Sequence, residues 1–206
     1  VQIVEAAGIP ILSKGGFEAD DVMATLCRKL AGEDVALYLV SKDKDLEQLL
    51  SERVSLFDAG KGEVIGPAEL AAAKGYAPAQ AIEVQTLTGD STDNVPGVAG
   101  IGPKKAAALI AKYGTAEAVI AHADELTPAM KKNVLAFADK AATVRRLVTL
   151  RQDVDLDFDL EAVRFRGLNK AALKGIFEEL GFRRLVEQMS ESGSDSAATA
   201  AAAPAP

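Results

Sequence analysis

Apolar positions follow one pattern up to about residue 66 and another beyond it. In the first part, short apolar runs alternate with helical stretches. Val1 to Ala7 reads as the end of a helix that Gly8 closes. Residues 9–12, IPIL, predict a short buried strand, followed by a turn over 13–16. From Glu18 to Leu30 the apolar side chains Val22, Met23, Leu26, Cys27 and Leu30 fall on one helical face. VALYLV, 35–40, is a continuous apolar run of the kind that a parallel strand covered on both faces carries. DKDLEQLL, 43–50, predicts a second helix, VSLFDA a further strand, and GKGEVI a turn with a short return strand. This alternation predicts an α/β class with a mainly parallel sheet.

After Pro67 the periodicity becomes helical, over 67–74, 78–88, 103–113, 115–122 and 128–150, which predicts a helical subdomain packed on the sheet. A short alternating stretch, DVDLDFDL, precedes a last helix over 170–180 that Gly181 ends. From Ser190 the chain is Ser/Ala/Pro with almost no large apolar side chain, too little to offset ordering entropy, and reads as a disordered tether. The predicted organisation is therefore 1–66 α/β, 67–189 helical and 190–206 linker. At the other end there is no initiator Met, and the apolar-periodic Val1, Ile3 and Val4 have no capping residue before them. That start reads as a helix cut in the middle, in a fragment whose N-terminal part is absent.

Composition narrows the class. A chain of 206 residues supports one good core, or one core with a small appended domain. No long uncharged apolar run predicts a membrane span, and VQIVEAAG has neither the basic start nor the cleavage site of a secretory signal. One cysteine, Cys27, excludes an internal disulfide and fits a reducing compartment such as the cytoplasm. A net charge of -7 runs against a nucleic-acid binder, which normally carries a basic excess. Two features weaken that objection. Seven of the thirty acids sit in three tight groups, where a cation would neutralise them. The basic residues also bunch, as Lys104-Lys105, Lys131-Lys132, Arg145-Arg146 and Arg183-Arg184.

The acidic groups are Glu18, Asp20 and Asp21 in GFEADD, Asp43 and Asp45 in SKDKD, and Asp90 and Asp93 in GDSTDN. Carboxylates repel one another, so a fold that gathers them suits a hard cation, magnesium or manganese. Each group also has a plainer reading. Acids in a helix's first turn complement its dipole, Asp43 suits a helix cap, and Asp, Ser and Asn suit a turn. What favours a site is that all three fall at junctions. Asp43 and Asp45 directly follow a predicted strand, and residues two apart in extended backbone face the same way.

PGVAGIGPKKA, 96–106, follows the last group. Gly97, Gly100 and Gly102 permit a tight two-turn loop, Pro103 starts a helix, and Lys104 and Lys105 stand beside it. Glycine lets backbone amides approach a phosphate closely, so Gly97, Gly100, Ile101, Gly102, Lys104 and Lys105 are candidate DNA-backbone contacts. The pattern resembles a helix–hairpin–helix element, and a helix–turn–helix packing joint is its plainer reading. His122, alone of its kind, lies in the Ala-rich AVIAHADEL far from the acids and reads as structural. Cys27, Tyr76, Tyr113 and Phe137 read as core.

GFEADDV, SKDKDLEQLL and LTGDSTDNVPGVAGIGPKKAAALIAKYG, in this order, resemble the 5′-nuclease domain of bacterial DNA polymerase I, in the wider flap-endonuclease family. The resemblance covers about residues 1–190, and the Ser/Ala/Pro tail resembles the tether to that enzyme's next domain. It implies a PIN-like sheet with a helix–two-turns–helix DNA-binding subdomain, and two-metal hydrolysis of 5′ flaps, nicks or 5′ ends of DNA in replication and repair. By motif match, Glu18, Asp20, Asp21, Asp43, Asp45, Asp90 and Asp93 would ligate magnesium, with Asp20, Asp21, Asp43, Asp45 and Asp90 nearest the chemistry. Potassium would sit at hairpin carbonyls near Val98 and Ile101. The resemblance also implies a monomer in the bacterial cytoplasm, at the nucleoid and continuous with a polymerase.

One departure stands out. The family begins with a strand carrying a metal-ligating aspartate, then a further aspartate and a basic helical arch, and this sequence shows none of them. Such a chain would be short of ligands, of cations to grip substrate and of a central strand. Two rivals remain at this point: a non-catalytic duplex-binding module that uses the hairpin alone, and an RNA-cutting PIN-like nuclease, against which the hairpin argues.

Overall fold

Helix and strand alternate first, and helices then follow one another, in a computed structural model that describes residues 1–191. The tether read over 190–206 lies, from residue 192 on, outside the described residues. By its contacts the chain forms two units: Lys14–Leu156, and Val1–Ser13 together with the described residues from Asp157 on.

In the larger unit, α2 (Ala19–Lys29) precedes a small sheet. Its strands are β1 (Leu37–Leu39), β2 (Val54–Asp58) and β3 (Glu63–Ile65), in the order β1-β2-β3. β1 runs parallel to β2, with Leu37 opposite Val54, while β3 returns antiparallel, with Leu56 opposite Ile65. The sheet is therefore mixed rather than mainly parallel, because the GKGEVI turn folds the chain straight back. Nor is the VALYLV run covered on both faces: Tyr38 is 42% and Val40 64% exposed. DKDLEQLL forms a 3-10 helix, Lys44–Leu49, instead of an α-helix. Asp43 accepts a hydrogen bond from the Asp45 amide at 3.0 Å, which tightens the entry into this short turn. Leu46 and Leu49 from the turn, Ala24 from α2, Val54 and Leu56 from β2 and Leu70 form one core.

The helical part comprises α3 (Pro67–Lys74), α4 (Ala81–Thr88), α5 (Pro103–Tyr113), α6 (Ala116–Ala121) and α7 (Pro128–Val148), all close to the predicted bounds. A second core gathers Leu87, Ile110, Val119, Val134, Phe137 and Val144 from four of these helices, with Val98 and Ile101 of the hairpin. His122 ends α6 and stacks on Tyr113, with ring centroids 5.3 Å apart, which fits a structural role. After α7 the chain runs back along α2 and the 3-10 turn. Gln48 grips it twice, donating to the Val148 carbonyl at 2.9 Å and accepting from the Leu150 amide at 3.1 Å. The buried Thr25 hydroxyl accepts from the Val154 amide. The alternation in DVDLDFDL thus buries Val154 and Leu156 without strand pairing.

In the smaller unit α1 (Gln2–Ala6), which Gly8 follows at φ 73°, α8 (Lys170–Glu179) and α9 (Arg183–Glu191) share a core of Ala7, Leu173 and Phe177, against which Ile3 of α1 and Leu185 and Val186 of α9 pack. The buried strand expected over 9–12 is absent: the segment is irregular, and Ile9 and Ile11 are each 44% exposed. No strand among the described residues pairs with it, so its backbone gains nothing from extending regularly. Helix α9 has no counterpart in the sequence reading, which ended the helical pattern at Gly181. No helix among the described residues is long and apolar enough to cross a membrane.

Candidate metal centre and DNA-backbone interface

The acidic groups meet because three junctions open into one cleft of about 450 Å³, lined by Glu18, Asp21, Asp45, Asp90 and Asp93. Glu18 caps α2 in extended conformation but gives its carboxylate to no capping bond, which leaves it for the cleft. Asp20 and Asp21 follow in the first turn. Asp21 accepts from the Arg151 amide at 2.9 Å, a contact across 130 residues that fixes it to the returning chain. Asp45 points in from the 3-10 turn, and Gln85 donates to its Oδ1 at 2.5 Å. Asp43 does not line the cleft, since its carboxylate caps the turn.

Asp90 and Asp93 come from a closed loop. Asp90 and Val95 form an antiparallel bridge, and Asn94 between them takes φ 57°, a left-handed conformation that asparagine tolerates. The loop's stem is tight enough to require glycine twice. A Cβ on Gly97 would overlap the Thr88 carbonyl, and one on Gly89, itself at φ 68°, would overlap the main chain of Val95 to Gly97. The glycines that flank GDSTDNVPG therefore aim Asp90 and Asp93 by letting two backbones touch.

Oxygens of Asp45, Asp90 and Asp93 lie within 4.8 Å of one another. Electrostatics register the crowding. Burial pushes the Asp20 carboxyl up from its ordinary pKa, and Asp43, Asp45, Glu18 and Asp21 push it further. Asp45 is also raised, by burial and then by Asp43 and Asp90, against the Gln85 hydrogen bond. Asp90 moves the other way, held low by the Lys44 ammonium 2.5 Å from its Oδ2 and by the Thr92 amide. Three converging carboxylates with a cation already against one of them form an oxygen-only donor set that fits a divalent ion.

The hairpin that follows the acid loop in sequence is a backbone structure. Its side chains Val98 and Ile101 are buried, so Ile101 offers a partner only its main chain. Asn133 donates to the Ala99 carbonyl at 2.8 Å, and Lys105 to the Gly100 carbonyl at 3.0 Å. Gly102 caps α5, with Pro103 in its first turn. Lys104 is exposed and lines a second cleft of about 480 Å³ with Gly102, Ser91, Lys74 and Lys44. Sequence reading missed the supporting cast: Gln85, Arg146 and Arg151 in the acid cleft, and Glu83, buried beneath Arg145. Polar residues amid the apolar positions of AIEVQTLT were the signal for Gln85 and Glu83.

Comparison with known proteins agrees with this arrangement. A family model described as the 5′-3′ exonuclease N-terminal resolvase-like domain matches residues 1–75, and one described as the 5′-3′ exonuclease C-terminal SAM fold matches 76–171. The chain belongs to the 5′–3′ exonuclease family. Among the family's curated members, DNA polymerase I of Rhizobium leguminosarum is 38% identical over 191 residues, 92% of this chain and 19% of that protein. The thermostable DNA polymerase I of Thermus thermophilus is 35% identical over 187 residues, 91% of this chain and 22% of that protein. The chain thus spans about a fifth of these relatives' length. Bacteriophage T5 5′-exonuclease, solved with bound zinc, shares the fold at a TM-score of 0.60 and 20% identity, over 85% of this chain and 60% of that one. The catalytic core of Rad2 in complex with DNA shares it at 0.63 and 17% identity, over 94% and 67%.

Proposed function

We propose that the chain carries the metal-binding acids and the DNA-holding hairpin of a 5′–3′ exonuclease/flap endonuclease, working within a DNA polymerase I on 5′ flaps, nicks and 5′ ends. The observation that carries this reading is the convergence of Asp45, Asp90 and Asp93 next to a glycine hairpin in a chain of this family. Oxygen donors favour magnesium or manganese. Glu18, Asp20 and Asp21 supply enough further carboxylate for a second ion. Potassium at the hairpin, near the Val98 and Ile101 carbonyls, belongs to the same reading.

Magnesium held by Asp45, Asp90 and Asp93 would supply a water of lowered pKa and offset the charge that develops on the leaving oxygen. The chain's own contribution is positioning. Gln85 holds Asp45, the Thr92 amide holds Asp90, and the Arg151 amide holds Asp21, so the carboxylates need little rearrangement. The first turn of α5 and Lys104 take the phosphate backbone without reading bases. Arg146 and Arg151 on the cleft wall offset the charge of a phosphodiester drawn towards the acids. The test is magnesium-dependent cleavage of a 5′-flap DNA by the chain and by Asp90→Asn. The expected result is cleavage lost in the variant. Equal turnover in both would sink the reading, and duplex binding without any cleavage would favour a non-catalytic DNA holder.

A further inference from the structure

Lys44 carries a positive charge into the acid cluster from within the acidic motif itself. It opens the 3-10 turn between Asp43 and Asp45, and its ammonium stands 2.5 Å from Asp90 Oδ2. The two partners differ in freedom. The Asp90 side chain is 6% exposed and tied to the Thr92 amide, whereas that of Lys44 is 42% exposed on a flexible stem. Asp90 also belongs to the triangle of carboxylates shared with Asp45 and Asp93. An ion in that triangle and the ammonium would compete for one carboxylate, and two cations so close repel. Lys44 has an alternative place, because it also lines the second cleft with Ser91, Gly102 and Lys104.

We propose that Lys44 is a resident counter-ion of this cluster. It neutralises Asp90 while the triangle holds no divalent ion, and yields that position when one binds, its ammonium turning towards the cleft lined by Ser91 and Lys104. Lys44 thereby sets the cluster's affinity for metal below what the carboxylates alone would give. This inference rests on the reading of the cluster as a cation site.

The test is manganese affinity, measured by titration calorimetry on the chain, on Lys44→Met and on Lys42→Met, with thermal unfolding in chelator as the check on folding. Lys42 is the control because it removes the same charge two residues away, while its ammonium lies 3.2 Å from Asp58, outside the cluster. Lys44→Met should bind manganese roughly tenfold more tightly, and Lys42→Met within about twofold of the parent. Should Lys44→Met unfold, Lys44→Gln keeps a donor for Asp90 without the charge and should show the same gain. An unchanged affinity without the Lys44 charge, or an equal gain in both positions, overturns the proposal. A parent chain that binds no manganese overturns instead the cation-site reading beneath it.

Discussion

The acid cleft and the glycine hairpin belong to one folding unit and are built in opposite ways. The cleft is made of side chains: carboxylates from three junctions are held by Gln85, Lys44 and backbone amides that reach across as many as 130 residues. The hairpin is made of main chain. Gly97 at its start lies against the Thr88 carbonyl, a crossing it shares with the stem of the acid loop, and the side chains of Val98 and Ile101 serve the core. The function proposed for the cleft should therefore be removable one carboxylate at a time with the fold intact. In the hairpin, substitutions at Gly97, Val98 and Ile101 reach the fold before they reach a partner.

The largest effect is expected at the crossing. Gly97→Ala places a methyl group against the Thr88 carbonyl, where neither backbone can move alone. A loss of about 4 kcal/mol is expected, read as a lower denaturation midpoint. An unchanged midpoint would show that the loop yields more easily than its packing implies. In the cleft, Asp93→Asn should reduce metal-dependent cleavage by about a hundredfold or more while leaving the melting temperature equal or higher, since it relieves repulsion. A large fall in melting temperature would mean that the carboxylates are structural, and the contrast between the two regions would fail.

Glu83 sharpens the comparison because it is a carboxylate of the helical part with a structural task. It is buried, accepts from the Ala116 amide at 2.9 Å and pairs with Arg145 at 2.6 Å. Glu83→Gln should cost about 2 kcal/mol of stability and leave manganese affinity unchanged. The smallest effect should come from Lys104→Ala, on the exposed rim. It should weaken duplex binding alike on different sequences and lower the salt slope by about one. A loss confined to one sequence would contradict backbone contact.

The two regions also differed in how far they could be read from residues alone. The hairpin was legible because glycine, proline and lysine mark a turn, a helix start and a charge locally. The helices that carry it were legible from periodicity. In the cleft, the seven acids announced themselves by clustering at junctions, but what holds them did not. Gln85 meets Asp45 forty residues away, and Arg151 meets Asp21 across 130, distances over which no local pattern speaks. The plainer reading of Asp43 as a cap describes its main contact, because a short turn can use a carboxylate before any ligand does. IPIL misled because apolar character alone does not make a strand when no strand among the described residues pairs with it. Missing α9 had the reverse cause: Gly181 does end one helix, and a second begins two residues later.

The most direct test of the account is to locate the ion itself. Crystals of the chain soaked in manganese should show an anomalous peak within reach of Asp45, Asp90 and Asp93, with the Lys44 ammonium withdrawn from Asp90, and no such peak in Asp90→Asn. Crystals that show no peak at saturating manganese, with Lys44 still on Asp90, would contradict it.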